Sequence, residues 1–208
     1  MTNTTDIQPI GAALYFLPVQ MRVPLKFGAG TVTSVTCARV RLRVRRADGL
    51  EADGWGETPL SVQWVWPSPL PYERRDAALQ EFCDVLARAW AQFAESGHAL
   101  EIGHAFCKHE LPARLREFNS ARPPGEAMPW LAALVCCSAF DLALHDAYGR
   151  ATNVATYETY REPWLRRDLA HFLTAAEDRA HEVSFAGKWP ADFFRPARCE
   201  RLLAWHLV

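Results

Sequence analysis

The sequence predicts an α+β fold, in which a small antiparallel sheet is followed by a helical bundle and an irregular C-terminal segment. Two patterns support this prediction. Residues 38–45, ARVRLRVR, alternate apolar and arginine side chains, which is the period-two pattern of a half-buried strand. Residues 72–93 instead repeat apolar side chains at helical spacing. A chain of 208 residues is long enough to bury a core between the two elements.

The strands come first along the chain. Residues 1–9 are polar and are expected to be loose, and the apolar run 11–20 predicts the first strand. A loop is expected over 21–30, MRVPLKFGAG, because this segment contains a proline and two glycines. The Ala-Asp-Gly turn at 47–49 follows the arginine strand, so LEADGWGE should return antiparallel and end near Glu57.

The helices come next. SVQWVWPSPLPYERR is expected to be a loop because its three prolines stiffen it, and the helix over 72–93 that overlaps its end is stopped by Gly97. Two weaker helical stretches are expected within 100–119. A longer and more apolar helix is expected over 130–148, with Gly149 as its stop. No regular apolar period follows that glycine.

Charge and composition exclude several classes of partner. The 24 acidic residues nearly cancel the 23 basic ones, so no overall charge attracts nucleic acid or an anionic membrane. The apolar run IGAALYFLPV is too short to span a bilayer and no basic residue precedes it, so neither a membrane span nor a secretory signal is expected. The 6 cysteines show no Cys-x-x-Cys spacing, which indicates reduced thiols, and we expect a cytoplasmic protein.

The arginines of the alternating strand allow two interpretations. They form either a basic stripe for nucleic acid or the solvated face of a sheet. Aromatic residues for base stacking are not interleaved with them, so the solvated face is favoured. The four residues are Arg39, Arg41, Arg43 and Arg45.

Three motifs carry a resemblance to a known family. They are VPLKFG at 23–28, GWGET at 54–58 and SAFDLALHDAYGR at 138–150. The residues of these motifs and their order along the chain resemble the amino-terminal capping domain of the enolase superfamily, on the mandelate racemase and muconate lactonizing branch. The resemblance covers residues 10 to 155 and implies an enolase-like α+β cap set on a modified TIM barrel.

The resemblance implies an activity that depends on the barrel. Members of the family take a proton from the carbon beside a carboxylate, and Mg²⁺ held by three barrel carboxylates stabilises the enediolate that forms. A lysine or histidine of the barrel is the base. Enzymes of this kind act on small carboxylate molecules as racemases, dehydratases or cycloisomerases.

The sequence does not contain that machinery. A complete barrel takes about 250 residues, and only the segment after Gly149 is left for one. Lys26, Lys108 and Lys188 are too far apart to form the Lys-x-Lys motif that the family often uses as its base. AWHLV at 204–208 resembles a first barrel strand that is cut off. We therefore expect a truncated member with no catalytic residue, metal or cofactor of its own, since Mg²⁺ and a carboxylate substrate are expected only in a full-length member.

The predicted domain organisation follows from these assignments. A loose N-terminus is followed by the α+β capping domain, by an apolar linking helix, and by an irregular insertion that ends in the truncated start of a barrel. The corresponding ranges are 1–9, 10–130, 131–155 and 156–208.

The cap loops are the candidate functional residues. In the family, two cap loops close over the barrel mouth and contact the substrate, and by position they match residues 22–30 and 58–66. The lysine of the first loop would meet a substrate carboxylate or would merely be solvated, and the aromatic residues would exclude water or only contribute to the packing of the cap. The residues implied to face the substrate are Lys26, Phe27, Thr58 and Trp64.

Two other groups of polar residues are candidate sites. Asp141 and His145 lie one helical turn apart, whereas Asp146 is turned away. We therefore expect these three residues to be polar side chains of a structural helix and not a site. The segment HAFCKHE at 104–110 lacks a fourth zinc ligand, and we expect surface histidines at a helix end.

Three functions remain open from the sequence. The preferred one is a fragment of an enolase-superfamily enzyme that is inactive alone. The chain would alternatively be a free-standing binding or oligomerisation module that self-associates through an exposed apolar helix, since an exposed patch near 131–144 favours association. The third is an unrelated α+β enzyme that uses histidine and aspartate of that helix.

Overall fold

In the computed structural model, the described residues are 3–27, 30–179, 182–195, 199–201 and 203–204. The chain divides into two units, Met1–Thr156 and Tyr157–Val208. The first unit contains a sheet and the long helices. The α+β class predicted from the sequence is therefore confirmed.

The sheet has three antiparallel strands in the order β1–β2–β3, with β1 at Ile7–Phe27, β2 at Gly30–Arg46 and β3 at Glu51–Pro59. The alternating segment forms the centre of β2, and its apolar side chains face the helices. This face is buried because every second residue of a strand points to the same side of the sheet. The four apolar residues, each 0% exposed, are Ala38, Val40, Leu42 and Val44.

Two predictions about the first strand were wrong. The expected loop over 21–30 is instead the end of a long hairpin, in which Leu25 pairs with Val32, after an irregularity in the register that follows Gln20. Apolar residues recur at every second position from Met21 onward, and a proline is tolerated at such an irregularity on an edge strand. The expected loose N-terminus is ordered from Ile7, which is 0% exposed.

The helices of the first unit are α1 to α5, of which α3 and α4 are joined by one turn of π-helix. The α1 helix lies inside the segment that was expected to be a loop. The α5 helix does not stop at Gly149 but ends at Asn153, whose φ of 55° is left-handed and closes the helix. The bounds are Val62–Val65 for α1, Tyr72–Ala91 for α2, Ala99–Ala105 for α3, Phe106–Glu110 for the π-helix, Leu111–Ser120 for α4 and Trp130–Thr152 for α5, with a 3₁₀ turn at Pro124–Glu126.

The core lies between the buried face of the sheet and α2, α3 and α5. Trp90 of α2 stacks on Phe106, with ring centroids 3.9 Å apart. The α5 helix is the one described helix whose length and apolar composition would suit a membrane span, yet 50% of its most apolar window is buried inside the fold. Its apolar composition is therefore explained by its position in the core, and the evidence for a membrane span is weak.

The second unit has short helical segments in its described part. Asp168 organises one of them, because its carboxylate accepts hydrogen bonds from the N–H groups of Ala170 at 3.1 Å and Gly187 at 2.7 Å. The strand expected at 204–208 falls mostly on residues 205–208, which lie outside the described residues. The helix α6 spans Leu169–Phe172, and 3₁₀ turns span Thr156–Thr159, Glu177–Arg179 and Pro190–Phe193.

Candidate functional site

The second and third sequence motifs meet at one junction, where α5 lies directly on the edge strand β3. A Cβ atom added to Gly54 would lie 2.7 Å from the Cα of Ala147, and one added to Gly56 would lie 2.6 Å from the backbone nitrogen of Ala143. Both distances are well below van der Waals contact. Glycine is thus required at both positions of the GWG sequence, because only glycine lets the helix backbone approach the strand this closely.

Polar contacts fasten the same junction. The backbone N–H of Trp55, on the free edge of β3, donates to Asp146 Oδ2 at 2.9 Å, and Arg150 Nε donates to the same oxygen at 2.9 Å. The hydroxyl of Thr58 is 2.8 Å from that of Ser138. The structure therefore places Thr58, a predicted substrate-facing residue, in a contact between strand and helix.

Asp141, His145 and Asp146 of α5 do not come together as a site. Asp141 Oδ2 and His145 Nε2 are 3.9 Å apart, beyond hydrogen-bonding distance, and Asp146 is already bound at the junction. Desolvation raises the pKa of Asp141 and lowers that of His145, although each opposes the shift of the other. Among the described residues, no group of three or more His, Cys, Asp or Glu side chains could hold a metal ion.

His98 is a buried polar residue that the sequence reasoning missed. Its Nδ1 accepts a hydrogen bond from the N–H of Leu100 at 3.1 Å, and Glu101 accepts one from the N–H of His98 at 3.2 Å, which caps α3. Its ring lies 4.4 Å from that of Tyr148. Burial, with a smaller effect of His145, lowers the pKa of His98 to about 3, so the ring is neutral. Histidine is not a typical capping residue, so the sequence carried no signal for this role.

Four of the cysteines, Cys37, Cys83, Cys136 and Cys137, are buried, whereas Cys199 is exposed. All six are free thiols. Cys136 is fully buried and donates to the carbonyl oxygen of Leu79 at 3.6 Å. Burial raises its pKa well above the usual value, which keeps the thiol protonated and unreactive.

The arginine face of β2 is largely compensated by acidic residues of β3. Arg39 Nε lies 2.6 Å from Glu57, and Arg43 Nε lies 2.7 Å from Asp53. Arg45 makes a similar contact with a β3 glutamate at 2.8 Å. Arg41 shares Asp53 with Arg43, so three carboxylates offset most of the charge of the four arginines. This partial compensation favours the solvated face over a nucleic-acid surface.

The end of the β1–β2 hairpin and α1 border a cavity of about 320 Å³ that is open to solvent. Of the residues predicted to face a substrate, Trp64 lines this cavity and is 55% exposed. Lys26 is exposed on the hairpin and does not line it. Phe27 is the last residue of β1, and its side chain lies outside the described part. The sequence reasoning missed Met21, Leu25 and Val35 as lining residues, although Met21, Val23 and Leu25 recur at every second position, which is a signal for a strand.

Comparison with protein-family models gave no match, and comparison with curated proteins gave none either. Comparison with solved structures did give matches. The chain is similar to the dipeptide epimerase from Enterococcus faecalis V583, at 13% identity with a TM-score of 0.42, over 74% of this chain and 35% of that one. It is similar to the L-Ala-D/L-Glu epimerase from Bacillus subtilis, at 20% identity with a TM-score of 0.42, over the same shares.

A third match is an enolase from Bradyrhizobium, solved with magnesium and mandelic acid, at 17% identity with a TM-score of 0.40, over 76% of this chain and 35% of that one. The structures that the chain is similar to thus include two epimerases and an enolase. The chain spans about a third of the length of these proteins. At these TM-scores and identities, the similarity by itself says nothing about the activity of this chain.

Proposed function

We propose that the chain acts as the capping part of a Mg²⁺-dependent enolase-superfamily enzyme of the racemase, dehydratase or cycloisomerase type. One observation carries this proposal. The motifs at 54–58 and 138–150, from which the resemblance was stated, form a single close-packed junction between β3 and α5. The two motifs are far apart in the sequence, yet the glycines of the first allow the helix of the second to lie directly on β3.

The positions of the two predicted cap loops support the same proposal. Residues 22–30 and 58–66 are separated by β2 and part of β3, yet both contribute to the cavity beside α1. Leu25 comes from the first predicted loop, which is the end of the β1–β2 hairpin, and Trp64 comes from the second, where it lies in α1. A cap that selects a substrate needs its loops to meet at one place, and here they do.

The described residues do not fit a magnesium ion. They offer no cluster of three ligating side chains, and the carboxylates of β3 are already paired with arginines. We propose that the chain is catalytically inactive by itself, and that the base and the metal ligands belong to a barrel that the described residues do not form.

Isotope exchange tests this proposal. Purified chain is incubated in D₂O with Mg²⁺ and either mandelate or an L-Ala-L-Glu dipeptide, and loss of the α-proton signal is followed by ¹H NMR. The epimerase from Bacillus subtilis serves as the positive control for the dipeptide. We expect no exchange above the enzyme-free rate. Exchange by the chain alone, abolished by removing Mg²⁺, would overturn the proposed inactivity.

A free-standing binding or oligomerisation module is the second candidate. It is favoured by large apolar side chains that α5 leaves exposed, since Leu142 is 51%, Trp130 44% and Leu131 41% exposed. Sedimentation equilibrium distinguishes the candidates. A dimer that dissociates in Leu142→Glu but not in the exposed control Leu50→Glu would favour the module.

A further inference from the structure

The α3 helix and the π-helix that follows it run alongside α5 in the opposite direction, and two contacts fix their register. The ring of His98 lies 4.4 Å from that of Tyr148. Further along, a Cβ atom added to Gly103 would lie 3.6 Å from Asp141 Cγ. Residue numbers therefore rise along one element as they fall along the other, which is the arrangement of antiparallel neighbours.

The next turn of both elements brings two cysteines together. Cys107 of the π-helix comes four residues after Gly103, and Cys137 of α5 comes four residues before Asp141, so each lies about one turn further along the same face. Cys107 also packs against the buried core to which Cys137 belongs. Because Gly103 has no side chain, the two elements approach closely here, and a disulfide needs such an approach.

The two thiols of this pair differ in exposure and in acidity. Cys137 is 2% exposed, whereas Cys107 is only partly buried. A hydrogen bond from Cys137 lowers the pKa of Cys107, against the opposing effects of burial and Asp141. The same hydrogen bond and burial raise the pKa of Cys137 well above its usual value. An accessible thiol that ionises more readily, next to a second thiol, is the arrangement typical of redox-sensitive cysteines.

The position of Cys107 in the π-helix is a further observation. Phe106–Glu110 is the one π-helical turn among the described residues, and the N–H of Leu111 donates to the carbonyl oxygen of Phe106, five residues earlier. The stacked ring of Trp90 holds Phe106 in the core. Single π-helical turns are rare and occur frequently at functional sites. The irregular turn therefore coincides with the more accessible thiol of the pair.

A second pair of cysteines provides an internal comparison. Cys83 of α2 and Cys136 of α5 are neighbours, and both are 0% exposed. Burial and the neighbouring Cys83 raise the pKa of Cys136 well above its usual value. Neither thiol of this pair is in contact with solvent, so a dissolved oxidant does not reach it. The two pairs therefore differ in the access of one sulfur atom.

We propose that Cys107 and Cys137 are a modification site, at which a hydroperoxide oxidises the two thiols to one disulfide between the π-helix and α5. The inference goes beyond the proposed function and does not depend on it. Hydrogen peroxide is the simplest oxidant of this class, and a small-molecule thiol is the reductant that reverses the reaction.

The reaction proceeds in two steps. The sulfur of Cys107 attacks one oxygen of hydrogen peroxide, the O–O bond breaks, and water leaves with the thiol proton while Cys107 keeps the other oxygen as a sulfenic acid. The sulfur of Cys137 then attacks the sulfur of Cys107. The S–S bond forms, the S–O bond breaks, and the hydroxyl group leaves as a second water with the proton of Cys137. Two electrons thus pass from the thiols to the peroxide.

Peptide mapping of the oxidised chain tests this inference. The full chain carries Cys199→Ser, because that exposed thiol would join two chains. It is treated with hydrogen peroxide at neutral pH without denaturant, quenched with catalase, blocked with N-ethylmaleimide in denaturant and digested with trypsin. Cys83 lies in peptide 76–88, Cys107 in 89–108, and Cys136 with Cys137 in 117–150.

Mass spectrometry then distinguishes the two pairs. We expect a disulfide between peptides 89–108 and 117–150 that forms at least about tenfold faster than any link from 76–88. Dithiothreitol should restore both thiols. A chain in which Cys107 stays free, or gains oxygen that dithiothreitol does not remove, overturns the inference. A link from 76–88 that forms equally fast also overturns it.

Two neighbouring variants assign the second sulfur. Cys137→Ala should abolish the link and leave Cys107 as a sulfenic acid that dimedone traps, whereas the matched control Cys136→Ala should keep the link. A link from peptide 89–108 that persists in Cys137→Ala overturns the inference. Cys107→Ser changes a partly buried position and should leave Cys137 reduced after peroxide treatment. Thermal unfolding verifies that each variant is folded.

Discussion

The β3–α5 junction and the end of the β1–β2 hairpin are two regions of one sheet with opposite packing. At the junction there is no room for a methyl group on Gly54 or Gly56. At the hairpin end, the same sheet leaves a cavity of about 320 Å³ beside α1. Protein interiors are normally close-packed, so the junction is a typical structural contact. The cavity is instead open to solvent, and its lining residues Leu25 and Trp64 are 45% and 55% exposed.

The largest expected effect comes from filling the junction. Gly54→Ala should lower the free energy of unfolding by about 3 kcal/mol, because the new Cβ would overlap the backbone of α5, which cannot move without disturbing the core. Urea unfolding followed by circular dichroism measures this loss. Gly125→Ala is the matched control, since an added Cβ there meets nothing within 4 Å. Equal stability of the two variants would show that α5 does not lie on β3.

The next effect is a dependence of stability on pH that comes from His98. Its pKa is about 3 in the folded chain and about 6.5 when unfolded, so only the unfolded chain binds this proton between those values. Its contribution is therefore fully present above pH 6.5 and is lost as the pH falls toward 3. We expect a loss of about 2 kcal/mol between pH 7 and pH 5.

The matched variant for this prediction is His98→Asn, because asparagine can also cap a helix but does not titrate. Urea unfolding of both proteins is measured at pH 7, 6 and 5. The wild type should lose more stability than the variant over this range. Parallel losses would mean that the imidazole of His98 is not kept neutral by burial.

A smaller effect on stability is expected from the hydrogen bonds at the junction. Asp146→Ala removes the acceptor for the Trp55 N–H and the partner of Arg150. We expect a loss of about 1 kcal/mol in the free energy of unfolding, since this hydrogen bond is exposed and water can replace the carboxylate. Asp84→Ala, an exposed aspartate of α2, is the control. A loss no larger than that of the control would contradict the role of Asp146 at the edge of β3.

The smallest effect is expected on the outer face of the sheet. Arg45→Gln breaks the contact with Glu51. The side chains of Arg45 and Glu51 are 55% and 41% exposed. Exposed ion pairs add little to stability, so the urea midpoint should not change measurably. A double-mutant cycle with Glu51→Gln checks the coupling. Strong coupling that persists at high salt would show that this face is not merely solvated.

The predictions from the sequence that succeeded are those that depend on periodicity within one element. The alternating arginine strand and the α2 helix were found because their apolar residues recur at the period of their own element. The long hairpin was missed because Pro24 and two glycines indicated a loop, while Met21 and Leu25 carried a weaker alternating signal. The end of α5 was misplaced because Gly149 looked like a stop, whereas Asn153 adopts the left-handed conformation.

The sequence by itself determined the α+β class, the order of strands and long helices, and the motifs that resemble an enolase-superfamily cap. These properties depend on local periodicity and on residues close together in the chain, which a sequence displays directly. Only the tertiary structure decided that Gly54 and Gly56 serve the approach of α5, that His98 is buried and neutral, and that Leu25 and Trp64 share a cavity. Each of these facts depends on contacts between residues far apart in the chain, and burial and distance are set only when the elements pack together.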